Sequence, residues 1–401
     1  FIFILSFVIR LETLMDIPSR YLIPTPRWEL NAIAISLMET GQFANAYMIP
    51  TGPTAHLPPI YPYLFSLIYR IFGLTATAGY VSMSFMFLTA SILFGMMPWL
   101  TKKLGMSSQA GIIGGFIGAL TFEWGGHGEF PSAIVMGLLL VAFFRRWSNG
   151  KYSNISTFLL GLAIGASFHL QPALLPVIIG CMLFELWWSK TWNKWKLSAL
   201  MALGILIACI PWGWRNYTTF YSIFFIRSNF GLELRMGNHE GAHPAMEVMD
   251  ADDQEHLHPA AHFLEAKKLR EIGEIAYMNK AMDDAVEWIR TSPMEFLRLT
   301  VSRVLHIWFG PLYNPKEAVR ISLLSLFAFL GLIFAWKKLT IPQRAILLIP
   351  LVTFPLIYYL VAYMPRYRVP IDWILYMLAG SAIWYWIGRR SIEINNGKHN
   401  H

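Results

Sequence analysis

The sequence predicts an all-α polytopic membrane protein with about ten transmembrane helices, the first of them truncated. Of its 401 residues, 55% are hydrophobic and only 14% are charged, whereas a soluble protein carries about 25% charged residues. Long apolar runs recur, and Lys and Arg lie in short segments beside them, as expected where basic loops set membrane orientation. We therefore attribute the net charge of +8 to basic loops that orient the protein in the membrane. Nucleic acid is not an expected partner.

The chain begins with an apolar run and a polar loop. Residues 1–9 are too few to cross a bilayer of about 30 Å, so we interpret them as the end of a transmembrane helix. The polar, Pro-rich segment 10–60 follows as the first outward loop. Apolar residues at helical spacing predict an amphipathic helix over 28–39, and 62–72 is typical of a second, interfacial helix. Both are expected to be juxtamembrane helices.

Further apolar runs predict the remaining crossings. They lie at 76–100, 110–122, 131–144, 155–168, 173–188, 197–211, 321–336, 345–363 and 373–387. Residues 215–310 interrupt the pattern because they are polar and charged, and helical periodicity over 263–290 and 294–309 predicts a small helical outward insert. The chain thus divides into a transmembrane module at 1–214, the insert, and C-terminal helices with a cytoplasmic tail at 311–401.

Basic loops at every second crossing predict the orientation, because Lys and Arg in short loops favour the cytoplasmic side. These loops are 102–103, 145–151, 190–196, 337–344 and 389–390. Ten crossings with both termini cytoplasmic satisfy all of them. The resulting topology places the loop 10–60, the stretch 123–129, His169, the insert and the segment 366–368 together on the outer face.

The outward groups suit chemistry on a lipid-linked phosphate. Arg366 and Arg368 flank Tyr367 beside an apolar run, and guanidinium groups bind phosphate oxygens in a bidentate manner. Glu29 opens the first predicted juxtamembrane helix and could remove a proton from a hydroxyl. Each group also has a structural interpretation, because Glu is favoured in the first turn of a helix and arginines anchor to lipid head groups.

Five segments carry a resemblance to a known family. They are Trp28-Glu29-Leu30-Asn31-Ala32-Ile33-Ala34, Gly41-Gln42-Phe43, Thr51-Gly52-Pro53-Thr54-Ala55-His56-Leu57-Pro58-Pro59-Ile60-Tyr61-Pro62, Pro211-Trp212-Gly213-Trp214-Arg215-Asn216 and Arg227-Ser228-Asn229-Phe230-Gly231-Leu232-Glu233-Leu234. With the order of loops and helices, they resemble the GT-C superfamily of integral membrane glycosyltransferases, in the branch of protein O-mannosyltransferases and lipid A aminoarabinose transferases. The resemblance covers nearly the whole chain. It implies an inverting transfer from a polyprenyl-phosphate sugar at the outer face of a bacterial inner membrane.

The resemblance also implies roles for individual residues. The catalytic base of the family falls on Glu29, where the family usually shows Asp, often followed by a second acid. The acid of the second outward loop falls on Glu123 or Glu129. Members of the oligosaccharyltransferase type bind a divalent metal through Asp-x-Asp, which the first loop lacks, so neither a cofactor nor a metal is expected.

The arginines and the polar groups of the outer face complete the expected site. The donor phosphate is expected to bind Arg366 and Arg368, with Arg27 and Arg215 as further arginines for the same role. Other substrate contacts are expected from His56, Tyr61, Glu123, Glu129, His169 and Tyr367. The expected partners are the polyprenyl-phosphate sugar, membrane lipids and an acceptor that is a glycan, a lipid or a protein.

Other functions fit parts of the sequence. An inactive accessory subunit of a membrane complex would keep the fold, and a lipid or polysaccharide transporter would carry charged or broken helices at mid-membrane depth, whereas the charges here concentrate at the outer edge. A zinc protease is disfavoured although residues 239–243 read His-Glu-x-x-His, because that motif requires a helix and Gly and Pro surround it here. Nearby His256, His258 and His262 could bind a stray metal ion, but we favour an interpretation as residues of a solvated loop.

Overall fold

The computed structural model describes residues 1–121, 128–150, 152–248 and 257–397, and from 388 onward the backbone alone. Over these residues the chain forms α-helices and short 3₁₀ turns, and no β-strand occurs among them. This agrees with the all-α class predicted from the sequence. The long apolar segments are helical, as expected for segments in lipid, because a helix satisfies all of its own backbone hydrogen bonds.

The helices of the described residues follow the apolar runs in order. They are α1 Ile2–Met15, α2 Glu29–Thr40, α3 Ile60–Phe72, α4 Ala76–Lys103, α5 Ser108–Leu120, α6 Glu129–Asn149, α7 Asn154–Phe168, α8 Leu175–Trp188, α9 Lys194–Phe220, α10 Phe230–Gly237, α11 Phe263–Ile272, α12 Glu274–Thr291, α13 Pro293–Phe309, α14 Pro315–Trp336, α15 Ile341–Thr353 and α16 Val369–Gly397. Turns of 3₁₀ helix occupy Ser19–Tyr21, Pro172–Leu174, Met246–Val248, Phe354–Tyr359 and Pro365–Arg368.

Five helical segments are long and apolar enough to cross a membrane. They are α4, α6, α9, α14 and the segment Ile341–Tyr359, in which α15 continues into a 3₁₀ turn. Shorter apolar helices accompany them, among them α3, α5 and α7. The protein is therefore a multi-pass membrane protein, and the total of ten crossings stays a prediction.

Close helix packing in the apolar region relies on small residues. Helices α7 and α9 pack against each other, with Gly161 and Gly204 at their contact. A Cβ atom added at Gly161 would lie 2.2 Å from the carbonyl oxygen of Met201, and one at Gly204 would lie 2.5 Å from that of Phe158. Small residues let helix backbones approach within a membrane, where no hydrophobic effect drives the helices together.

Helix α1 is longer than the apolar run predicted, because a buried arginine extends it. Arg10 donates to the hydroxyl of Ser6 at 2.8 Å and to the carbonyl oxygens of Ala119 and Thr121, both at 3.1 Å. These two carbonyls belong to the end of α5, where the helix leaves carbonyls without partners and favours positive charge. The charge of Arg10 is thus compensated inside the protein, and the first outward loop begins after Met15 rather than at residue 10.

The outward insert begins later than predicted and contains more helices. Because α9 continues to Phe220, the insert begins after that residue rather than at 215. The single helix expected over 263–290 is divided into α11 and α12 at Gly273, whose φ of +85° is a conformation that residues with a side chain rarely adopt. The short helix α10 was not predicted, and it packs against α12.

Arg303 connects the insert to the membrane region through hydrogen bonds. This side chain of α13 is fully buried and donates to the carbonyl oxygen of Gly237. It also donates to Oδ1 of Asn238 at 3.2 Å and to the carbonyl oxygen of Leu360 at 3.0 Å. One guanidinium therefore joins the end of α10 to the chain that follows Phe354–Tyr359.

We expect Arg303→Met to lower the thermal stability of the purified protein markedly. The change removes the Arg303 donor from the carbonyl oxygen of Gly237 and from Oδ1 of Asn238, and each buried group left unsatisfied costs about 1–3 kcal/mol. The carbonyl oxygen of Leu360 keeps its bond from Asn238. Arg298→Met is the matched control, because Arg298 lies on the same helix with an exposed side chain and pairs only with exposed Glu295. Thermal unfolding in detergent measures both, and equal melting temperatures for the two variants would contradict the anchoring role.

Candidate functional site

Glu29 lies at the first position of α2, where its side chain can project from the helix end. Trp28 precedes it in an extended conformation, so the helix begins at the acid itself. The buried face of α2 packs against α3, which fixes the helix at the edge of the membrane region. The Glu29 side chain is 22% exposed. It is therefore held by the fold and still accessible to a substrate.

Two imidazoles face the Glu29 carboxylate. Nε2 of His56 lies 3.9 Å from Oε1 of Glu29, and Nε2 of His258 lies 3.6 Å from the same atom. Both distances exceed a hydrogen bond, so the contact is electrostatic. His56 comes from the first outward loop and His258 from the insert, so the two segments meet at this acid. The interpretation of His258 as a residue of a solvated loop was therefore wrong.

The hydrogen bonds of the two rings determine which nitrogen carries a proton. His56 is buried, and its pKa lies well below the usual value because of burial first and then the positive charge of Arg227 and the neighbouring His258. Its Nδ1 lies 3.0 Å from the hydroxyl of Tyr47. A neutral ring beside a carboxylate favours the tautomer with N–H toward the acid. We therefore assign Tyr47 as the donor to Nδ1 and place the proton of His56 on Nε2, toward Glu29.

His258 has the same tautomer for a different reason. The backbone N–H of Ala260 donates to Nδ1 of His258 at 3.0 Å, and a neutral imidazole with one accepting nitrogen carries its proton on the other. Nε2–H of His258 therefore also faces Glu29. Two N–H groups from different segments thus orient one carboxylate.

The three side chains fit a metal ion in spacing but not in protonation. The ligand atoms of Glu29, His56 and His258 all lie within 4.8 Å of one another. A divalent metal binds the lone pair of an unprotonated imidazole nitrogen, and both rings present an N–H to the centre instead. Binding through Nε2 of His258 would require the hydrogen bond from Ala260 to break. We therefore derive no step through a metal.

The His-Glu-x-x-His pattern also lacks the geometry of a zinc site. It begins after α10 has ended at Gly237 and runs through a turn in which Gly241 has a φ of +79°. Nδ1 of His239 is 2.7 Å from the carbonyl oxygen of Glu240. The motif is therefore not on a helix, in agreement with the disfavoured zinc protease.

Arg366 belongs to the same electrostatic environment as Glu29. Its Nε lies 3.6 Å from Oε1 of Glu129, and its side chain is 43% exposed. Burial alone would lower the pKa of Arg366, yet Glu129, Tyr367, Glu233 and Glu29 together raise it. Arg366 therefore keeps its positive charge, and of these four groups Glu29 contributes least to the raised pKa.

Arg227 is a functional candidate that the sequence analysis did not single out. Its Nε donates to the carbonyl oxygen of His56 at 2.8 Å, and its Nη2 lies 3.9 Å from Oε1 of Glu233. The side chain is half-buried, and its charge acts on Tyr367 as well as on His56. Arg227 therefore holds the loop that carries His56, and its charge acts on the tyrosine next to Arg366. Its place at the start of the family-like segment 227–234 was the available signal.

Two tyrosines of the expected site lie beside these charges. The ring of Tyr367 stacks on that of Tyr358 with centroids 4.5 Å apart. The hydroxyl of Tyr61 donates to the carbonyl oxygen of Gly128 at 3.1 Å, next to Glu129. Burial raises the pKa of Tyr367, so its hydroxyl stays protonated and available as a donor.

Arg368 does not share this environment, and its assignment to the donor phosphate was wrong. The side chain is buried, with Nε 2.6 Å from Oδ1 of Asp372 and Nη1 2.8 Å from the carbonyl oxygen of Ile307. Residues two apart in a 3₁₀ turn point in different directions, because the turn has three residues. Arg366 and Arg368 lie in such a turn, so only the first is accessible.

Arg215 anchors the first loop. Its Nη1 donates to the carbonyl oxygen of Thr54 at 2.8 Å, and its Nη2 donates to that of Phe43 at 2.9 Å. These bonds tie both ends of the segment 43–54 to α9. Arg215 is thus placed to position the loop that carries His56 rather than to bind a phosphate.

The remaining predicted residues lie at the margin of the site or outside the described chain. Arg27 is exposed and lies over the ring of Trp28 at 5.7 Å. Nδ1 of His169 is 3.0 Å from the carbonyl oxygen of Gly165, so this ring closes the end of α7. Glu123 lies outside the described residues, and the alternative between it and Glu129 stays open.

A buried carboxylate positions the residue next to His56. Glu274, the first residue of α12, accepts from the backbone N–H of Ala55 at 2.7 Å and from the hydroxyl of Ser228 at 2.6 Å. The N–H of Ser228 donates in turn to the carbonyl oxygen of Ala55 at 3.0 Å. Burial raises the pKa of Glu274. The insert and the first loop are therefore joined directly behind the Glu29 group.

We expect the protein to bind no stoichiometric zinc at Glu29. The measurement is metal content after incubation with zinc and desalting, for the native protein and for His258→Asn, whose side chain lacks an imidazole. Because both rings present N–H groups to the acid, the two proteins should retain equal amounts. One equivalent retained by the native protein and absent from the variant would contradict the assigned tautomers.

The fold is similar to that of an archaeal oligosaccharyltransferase, AglB from Archaeoglobus fulgidus, solved in complex with an inhibitory peptide and a dolichol-phosphate. The TM-score is 0.51 at 14% sequence identity, and the match covers 94% of this chain and 47% of the AglB chain. The chain thus spans about half the length of that protein. No known family model and no curated protein sequence matches the chain. The likeness is one of fold alone.

Proposed function

We propose that the protein is an inverting glycosyltransferase that moves a sugar from a polyprenyl-phosphate donor to an acceptor hydroxyl. The reaction would take place at the outer face of a bacterial inner membrane. The observation that carries this proposal is the accessible Glu29 carboxylate, which lies 3.9 Å from Nε2 of His56 and 3.6 Å from Nε2 of His258 where the first loop meets the insert. The GT-C-type fold supports the same reaction class.

Glu29 has the position required of a general base. In a single displacement, its carboxylate accepts the proton of the acceptor hydroxyl while the hydroxyl oxygen forms a bond to the anomeric carbon. The bond from that carbon to the phosphate oxygen breaks on the opposite face, which inverts the centre. The N–H groups of His56 and His258 orient the carboxylate, and general base catalysis depends on such positioning.

The phosphate leaves as an anion and requires positive charge rather than a proton. Arg366 is partly exposed and carries N–H groups that Glu129, at 3.6 Å, does not fully occupy. Arg227 takes the place of buried Arg368 in this proposal, because its half-buried guanidinium contacts the loop that carries His56. Donors directed at developing negative charge are typically worth about 10²–10³ in rate each.

The donor class is supported by the structural neighbour, since AglB was solved with a dolichol-phosphate. The acceptor is a glycan, a lipid or a protein. Within the superfamily, the segments around Glu29 and Arg227 favour the O-mannosyltransferase and aminoarabinose transferase branch. An inactive accessory subunit is less well supported, because the acid remains accessible and two imidazoles orient it.

We expect Glu29→Gln to reduce sugar transfer by about 10² or more, since general base catalysis typically contributes 10²–10⁴. The assay is transfer from short-chain polyprenyl-phosphate sugars, with donor binding measured in parallel. Glu39→Gln is the control, because Glu39 is an exposed acid at the other end of the same helix. Donor binding should be retained in both variants, and equal transfer rates would remove Glu29 from the mechanism.

We expect Arg366→Met to weaken donor binding by about tenfold to a hundredfold, because the loss of a charge-assisted contact costs about 1.5–3 kcal/mol. Arg368→Met, two positions away, should instead lower thermal stability, since it removes the buried guanidinium that donates to Asp372 and to the carbonyl oxygen of Ile307. Binding of a polyprenyl phosphate to folded protein measures the first effect. Donor affinity that falls for Arg368→Met and not for Arg366→Met would reverse the assignment.

A further inference from the structure

The loop between α8 and α9 lies far from the proposed active site. We call residues 187–196 the tryptophan loop. Arg215 of α9 contacts the first outward loop, whereas Lys194 begins the same helix. At 1.5 Å per residue the two are separated by about 30 Å along the helix, which is about the thickness of the hydrocarbon core of a bilayer. The tryptophan loop therefore lies at the opposite membrane boundary.

Three indole rings of the tryptophan loop are exposed. Trp192 is 97% exposed, and Trp187 and Trp195 are each 69% exposed. Large rings are not normally left in water, because their apolar surface favours burial. Trp is enriched at membrane interfaces, where the ring meets lipid and the N–H meets water. The exposure is therefore explained if the loop lies among lipid head groups.

The loop also borders an open crevice with basic character. Its volume is about 440 Å³, and it is lined by Ser189, Lys190, Thr191, Trp192, Lys194 and Trp195. None of these lining residues is acidic. Nζ of Lys194 donates to the carbonyl oxygen of Leu186 at 3.1 Å, which holds the ammonium in place. An ammonium has three donors, so this group can make further bonds.

We propose that this crevice binds the phosphate head group of an anionic phospholipid. Lys190 and Lys194 supply the positive charge, and Trp192 and Trp195 supply rings that contact the glycerol and upper acyl region. Basic side chains at a membrane surface favour anionic over neutral lipid. The proposal does not rest on the glycosyltransferase function, because the crevice and the Glu29 group lie at opposite ends of α9.

Lipid binding to the purified protein in detergent tests this proposal, with native mass spectrometry counting the bound molecules. Phosphatidylglycerol should bind more tightly than phosphatidylcholine. Lys190→Ala combined with Lys194→Ala should weaken phosphatidylglycerol binding about tenfold or more, because two lysines act on the same head group. Lys102→Ala with Lys103→Ala is the matched control, since these exposed lysines end α4 on the same predicted side, and binding should be unchanged.

Two further measurements test whether a folding defect explains the result of the alanine pair and whether inorganic phosphate alone can occupy the crevice. Lys190→Arg with Lys194→Arg should restore binding if charge in the crevice is what matters, whereas a folding defect of the alanine pair would appear as a lower melting temperature. Millimolar inorganic phosphate should not displace phosphatidylglycerol, because it lacks the parts that contact the tryptophans. Equal binding of the two lipids, equal loss in the control pair, or displacement by phosphate would overturn the proposal.

Discussion

The contact between the first outward loop and the insert determines the geometry of the candidate site. The buried carboxylate of Glu274 holds Ala55 and Ser228 together, and Arg227 holds the carbonyl of His56. On the other side of the loop, Arg215 binds the carbonyl oxygen of Thr54. Buried polar groups are costly unless they are paired, so these bonds form together and specify one arrangement of the loop. Both imidazoles that face Glu29 depend on that arrangement.

The fold could be predicted from the sequence to a large extent. Apolar runs and their basic flanks give the order of the helices, because the same hydrophobicity that drives a segment into lipid also defines its length. The helix that begins at Glu29 was predicted within one residue. Predicted helix ends were wrong where a polar side chain has a buried partner, as Arg10 has at the end of α5. Such pairs join residues that are distant in the sequence, so the local pattern does not reveal them.

The site could be predicted only in part, for a related reason. Chemical type and a family resemblance led to the prediction of Glu29 and His56 as site residues, and charge near a membrane boundary led to that of Arg366. Whether an arginine faces a cavity or the protein interior depends on tertiary contacts, so the sequence could not distinguish Arg366 from buried Arg368. His258 carried no local signal, because its importance arises only when the insert folds against the first loop.

The central claim is that one external site holds the base and the phosphate-binding guanidinium together, and a structure with a bound polyprenyl-phosphate sugar tests it most directly. The account predicts phosphate oxygens within hydrogen-bond distance of Arg366. It also predicts the anomeric carbon on the side of the phosphate that faces Glu29, with room for a hydroxyl between them. A phosphate bound away from Arg366, or a sugar separated from Glu29 by packed protein, would contradict it.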